Sequence, residues 1–151
     1  MPDENIQRPV ILVDLDGTLA IDDGNYVEGK IGWPVRKIVE FVKYQIGMGN
    51  EVRIFTARAD NPVDVEAISN WLLDEAELPC SRDEYNKLAA LGHPPQRLAI
   101  TNIKTKDVVL LIDDKARECR KNTGEIVGLG TAGHAKPVFK LTNRKPFSIS
   151  R

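Results

Sequence analysis

Short continuous apolar runs alternate along the chain with longer stretches in which apolar residues recur every three or four positions. Val10-Ile11-Leu12-Val13 is apolar without interruption and rich in β-branching. Such a run predicts a strand buried on both faces, the mark of a parallel sheet with helices above and below. It stops at Asp14-Leu15-Asp16-Gly17-Thr18-Leu19. The turn residues Asp23-Gly24-Asn25, between short extended pieces of 20–30, predict a small hairpin placed as a flap beyond the strand end. Pro34 then opens a predicted helix with Val35, Ile38, Val39, Val42 and Ile46 on one stripe, ended by Gly47 and Gly49. Val52, Ile54 and Phe55 make a second strand with Thr56 at its carboxyl end. Asn61-Pro62 reads as an N-cap followed by proline at the first helical position, opening a helix that carries Val65, Ile68, Trp71 and Leu72 to about Ala76.

Ser81 and Glu84 form a capping-box pattern and predict a short helix to about Leu91, before Gly92-His93-Pro94-Pro95. Leu98-Ala99-Ile100 is a short apolar run leading into Thr101-Asn102-Ile103-Lys104. Val108-Val109-Leu110-Leu111-Ile112 is the most strand-like stretch in the chain, and it ends in Asp113-Asp114. A short helix from Lys115 to about Asn122 and edge strands at Ile126-Val127 and Val138-Phe139-Lys140-Leu141 complete the expectation. Strands alternating with helices imply an α/β, Rossmann-like three-layer sandwich with a central, mostly parallel sheet, formed as one domain over residues 1–151.

Composition narrows the class without choosing a partner. With 151 residues, 42% hydrophobic, 28% charged and a net charge of −1, the chain has the make-up of an ordinary globular protein. No apolar run approaches the ~18–20 residues that span a bilayer, and the polar start Met1-Pro2-Asp3-Glu4-Asn5 is unlike a signal peptide. Cys80 and Cys119 fit neither a disulfide framework nor a zinc site, and His93 and His134 are too few for a histidine metal centre. The expected location is a reducing cytoplasm.

Chemistry enters at the strand ends. Open α/β sheets bind ligands at the carboxyl ends of their strands. Three strands here end in polar residues of a restricted kind: Asp14 and Asp16, then Thr56, then Asp113 and Asp114, with Lys104 just before the last strand. Carboxylates that converge repel unless a cation lies between them, and Mg²⁺ with oxygen ligands is the common solution. The set suits phosphoryl transfer, in which a carboxylate attacks phosphorus while a hydroxyl and an ammonium hold the transferring oxygens.

These residues also carry a family resemblance. A hydrophobic strand ending D-x-D-G-T, a second ending in threonine, a lysine, and a third ending in an acidic pair resemble the haloacid dehalogenase-like phosphohydrolases, over residues 10–115. Ile54-Phe55-Thr56-Ala57-Arg58, Thr101-Asn102-Ile103-Lys104 and Asn122-Thr123-Gly124-Glu125 resemble small stand-alone members of phage and bacterial genomes. The phosphatase domain of phage polynucleotide kinase is a more distant likeness.

The resemblance implies that Asp14 is the nucleophile that becomes an aspartyl-phosphate. Asp16 would be the general acid/base and would ligate Mg²⁺ through its backbone carbonyl. Thr56 would hydrogen-bond the phosphoryl oxygens, with Ala57 and Arg58 beside the substrate, and Lys104 (or Lys106, two residues on) would neutralise the transferring group. Asp113 would bind Mg²⁺ directly, with Asp114 a second ligand or simply a helix N-cap.

No segment is long enough for a full cap domain: 20–30 and 79–97 are the only pieces able to shield the site. An open site admits a nucleotide or the phosphorylated end of a nucleic acid. Residues 136–151 hold Lys136, Lys140, Arg144, Lys145 and Arg151 and no acid, either a surface that tracks phosphates or a solvated tail. A sugar phosphate, phosphotransfer in place of hydrolysis, and a non-catalytic phosphate-binding module are the alternatives. The absence of a G-x-x-x-x-G-K-[ST] run excludes a P-loop kinase. The order of the motifs argues against a response-regulator receiver.

Overall fold

A computed structural model describes residues 8–116 and 120–128. The chain falls into two compact units, Met1–Asp114 and Lys115–Arg151. In the first, β1 (Val10–Asp14) is followed by α1 (Arg36–Gly47), β2 (Glu51–Phe55), a 3-10 turn at Ala57–Asp60, and α2 (Pro62–Trp71), which runs on into a π-type turn at Leu72–Ala76. Then come α3 (Arg82–Ala90), β3 (Ala99–Thr101) and β4 (Val108–Ile112). The strands form one parallel sheet in the order β3-β2-β1-β4, flanked by helices as a three-layer sandwich.

β1 is central because it is apolar on both sides. Val10, Leu12 and Val13 have no exposure and Ile11 almost none. Side chains alternate along a strand, and the register sets Ile11 beside Val52 and Val13 beside Ile54, so these four share one face. They join Val39 and Val42 of α1 and Ile68, Trp71 and Leu72 in a single buried cluster. Helix α2 starts where Asn61 accepts the Val63 amide and Pro62 takes the first helical position. Ser81 caps α3 in the same way, accepting the Glu84 amide.

Three expectations change. The hairpin expected over 20–30 is a loop. Asp22 and Asp23 do close a turn by accepting the Gly24 and Asn25 amides, but only Ala20 and Pro34 form an antiparallel bridge. Beyond the Ile21 amide on the Trp33 carbonyl and the Lys30 amide on the Val27 carbonyl, the backbone between them is held by side chains: Val27 and Lys30 give their carbonyls to Arg58, and Gly29 gives its amide to Asp64. The loop is pinned rather than laddered. Gly32 is needed there, since a Cβ would lie 2.0 Å from the Ile21 carbonyl oxygen.

Second, β4 is the outermost of the described strands, with Val109 66% and Leu110 41% exposed. Its apolar run is not buried on both faces. The pairing with β1 also slips by one residue, from Val10 with Val108 to Ile11 with Leu110. Val109 is the residue passed over.

Third, around the helix expected from Lys115 to about Asn122, Lys115, Ala116 and Arg120 are not helical, and Lys121–Thr123 is a turn. The rest of that stretch lies outside the described residues, as do Val138–Leu141, the basic stretch 136–151, Cys119 and His134. Ile126 makes a single bridge and Val127 lies in a turn rather than a strand. In the second unit, Arg120 and Glu125 close a short loop through their backbones and through a 3.6 Å ion pair.

Candidate functional site

The register of the sheet builds the site. Val13 lies between Ile54 of β2 and Ile112 of β4. The next residues along the chain, Asp14 and Asp113, therefore emerge side by side at the carboxyl edge. The one-residue slip at Val109 makes this happen. Continuous pairing from Val10 with Val108 would put Leu111 beside Val13 and leave Asp113 a residue beyond Asp14. Asp14, Asp113 and Asp114 each offer a carboxylate oxygen, and these oxygens lie within 4.8 Å of one another. Residues almost a hundred positions apart meet at one point.

Two residues of the turn after β1 make the approach possible. Gly17 has φ +87, and a Cβ on it would lie 2.7 Å from Asp114 Oδ2. Only glycine fits, because the conformation is left-handed and the carboxylate occupies the space a side chain would take. Thr18, 7% exposed, ties the two strand ends together. Its hydroxyl donates to Asp14 Oδ2 at 3.2 Å and accepts the Asp114 amide at 3.1 Å. The sequence pattern contains this threonine in D-x-D-G-T, but nothing in the pattern shows that it bridges to the second acidic motif.

Burial, then the charge of Asp113 and the carboxyl of Asp114, push Asp14 from its ordinary 3.8 up to about 7, against the Thr18 hydrogen bond. Concentrated negative charge is what a divalent cation relieves. The donor set is all oxygen, as Mg²⁺ or Ca²⁺ requires, and Gly17 leaves one side of it unobstructed by a side chain. The residues therefore fit a hard divalent cation.

Asp16, two residues from Asp14, is in a different setting. Arg58 Nε and Nη2 each donate to one Asp16 oxygen at 2.9 Å, a bidentate pair. The third nitrogen of Arg58, Nη1, donates to the Lys30 carbonyl at 2.9 Å and approaches Asp64 Oδ1 at 3.3 Å. The guanidinium also lies over the Tyr26 ring, 4.8 Å from its centre. Asp64 has no exposure, yet it accepts the Tyr26 hydroxyl, the Gly29 amide and Arg58. Burial alone would raise its pKa; those three donors outweigh it and hold the carboxyl below the usual range.

Compared with known proteins, the chain matches no family model, no curated protein and no solved structure. Its chemistry is thus read from its own residues. Thr56 is buried at the end of β2, donating its amide to the Thr101 carbonyl and accepting the Arg58 amide at its hydroxyl. Ala57 opens the 3-10 turn that follows. Lys104 and Lys106 are both exposed in the loop before β4, and no described hydrogen bond brings either to the carboxylates. Asn102 anchors the start of that loop to Asp60 at 2.7 Å. Sequence reasoning missed Asp64 and Tyr26. Neither lies in a recognisable motif, and an aspartate in the first turn of a helix that also carries Glu66, Ser69 and Asn70 gives no local signal. No helix among the described residues is long and apolar enough to cross a membrane.

Proposed function

We propose that this chain is a Mg²⁺-dependent phosphomonoester hydrolase of the haloacid dehalogenase-like type, acting through an aspartyl-phosphate at Asp14. The convergence of Asp14, Asp113 and Asp114 from two adjacent strand ends carries the reading. The order of motifs in the sequence supports it.

In this reading Asp14, Asp113 and Asp114 hold the cation. Bound there, Mg²⁺ offsets the repulsion between the carboxylates and the phosphate and keeps Asp14 ionised near neutral pH. Asp14 attacks phosphorus, the bond to the leaving oxygen breaks, and Asp16 gives that oxygen its proton. Asp16 then takes a proton from the water that hydrolyses the acyl-phosphate. Thr56 donates to the phosphoryl oxygens, Arg58 lies beside the substrate, and Lys104 supplies the ammonium from its exposed loop. The substrate is a nucleotide or the phosphorylated end of a nucleic acid. No inserted cap domain stands among the described elements.

The test is phosphate release from a 3′-phosphorylated oligonucleotide, free nucleotides and sugar phosphates, with Mg²⁺ and with excess chelator. Activity is expected with Mg²⁺ alone, and Asp14→Asn is expected to lose on the order of a thousandfold or more. Full activity in Asp14→Asn or in chelator would overturn the mechanism. Repeating the panel without residues 136–151 decides whether that stretch serves nucleic acid: selective loss on the oligonucleotide supports it, and an unchanged ratio refutes it.

A further inference from the structure

Asp64 is a carboxylate sealed from solvent on a helix that contributes nothing to the acidic cluster. Burying a charge is costly unless it is fully paired, and an apolar residue at this site would avoid the cost. The pairing has a direction. Asp64 Oδ2 accepts the Tyr26 hydroxyl, while Oδ1 accepts both the Gly29 amide and Arg58 Nη1. With Nη1 held there and on the Lys30 carbonyl, the Arg58 fork is left one orientation, in which Nε and Nη2 face the two oxygens of Asp16. Tyr26 closes the same guanidinium from its face.

We propose that Asp64 is a positioning residue: it fixes Arg58, and through Arg58 it fixes the orientation of Asp16 two residues from Asp14. The effect on turnover rests on the phosphohydrolase reading above; the geometric effect does not. An isolated arginine side chain samples many rotamers, and a carboxylate gripped by a wandering guanidinium would wander with it. Small misplacements of a proton-transferring group can lower a rate by up to about a hundredfold. Asp64 therefore governs kcat without touching substrate.

The variants are Asp64→Asn, close in shape, and Tyr26→Phe, which removes one hydroxyl from a half-exposed ring and leaves the fold intact. The first measurement needs no activity: hydrogen exchange of the Arg58 Nε–H by ¹⁵N NMR, assigned with Arg58→Lys. It is expected to be slow in the wild type, about tenfold or more faster in Asp64→Asn, and intermediate in Tyr26→Phe. Equal protection in the wild type and Asp64→Asn would overturn the proposal. The second is kinetic. Asp64→Asn is expected to lower kcat about tenfold to a hundredfold with KM within about threefold, and to have no further effect in an Asp16→Asn background. A merely structural role would lower the residual rate of Asp16→Asn by the same factor, and that result would also overturn the proposal. A wild type without Mg²⁺-dependent phosphatase activity would defeat the phosphohydrolase reading and leave the exchange measurement to decide this one.

Discussion

Asp14 and Asp64 are both aspartates in one small unit, and their surroundings push them in opposite directions. Asp14 is partly buried against two further carboxylates, and burial first, then those neighbours, raise its pKa to about 7. Asp64, more deeply buried, is held below the usual range by a hydroxyl, an amide and a guanidinium. Burial alone would have raised both. The difference lies in what the neighbours donate. One arrangement is complete within the protein, and the other would gain stability from an outside cation. A frustrated set of charges next to a satisfied one is what a site that must bind, and a frame that must not move, look like at this scale.

The sharpest way to break the comparison is to delete one charge from each side. Asp64→Ala leaves Arg58 short of a partner in a buried setting, which is expected to cost roughly 3 kcal/mol. For a chain of this size that lowers Tm by about 6–12 °C, measured by calorimetry. Asp14→Asn, in chelator at pH 8, is expected to leave Tm unchanged or raise it by a few degrees, because it removes an unfavourable charge. Equal losses in both variants would mean the two regions are not electrostatically opposed.

Gly17→Ala comes next. A left-handed conformation forced on alanine is expected to cost about 1–3 kcal/mol. The close contact with Asp114 also has to open, so Mg²⁺ should raise Tm less in this variant than in the wild type.

The pH dependence sharpens the contrast further. Between pH 3.8 and about 7 the folded protein carries more proton at Asp14 than the unfolded chain does, so this group's contribution falls as pH rises through that window. Asp64 has the opposite sign. Its lowered pKa contributes stability above the ordinary carboxylate range, lost as pH falls through the folded value. Mg²⁺ should therefore raise Tm more at pH 8 than at pH 5, and the wild type should lose more stability than Asp64→Asn between pH 5 and pH 3. The smallest effect is expected from Thr18→Val, about 1 kcal/mol for the lost bridge between strand ends, read from denaturant midpoints.

Much of this architecture was legible because its causes are local. The uninterrupted Val10–Val13 run marked the central strand, and the Asn61-Pro62 and Ser81/Glu84 signals marked two helix starts that the structure places at Pro62 and Arg82. The acidic residues at strand ends could be named because a parallel sheet brings such ends to one edge. What escaped was non-local. Apolarity identified β4 as a strand but did not reveal which neighbours would cover it. A turn signal at Asp23-Gly24 could not show that the flanking backbone would also bond to the side chains of Arg58 and Asp64. The Tyr26–Asp64 contact joins residues 38 positions apart with no periodicity to announce it.

The place of β4 in the sheet has a consequence for how the molecule breathes. Two of the three clustered carboxylates follow a strand that pairs, among the described strands, with β1 alone. Strands with a single partner separate at lower free energy than central ones. Partial opening would thus dismantle the ion site while the packing around β1 stays closed. A captured cation would act as a rivet across that seam, slowing amide exchange along Val108–Ile112 far more than in the rest of the sheet.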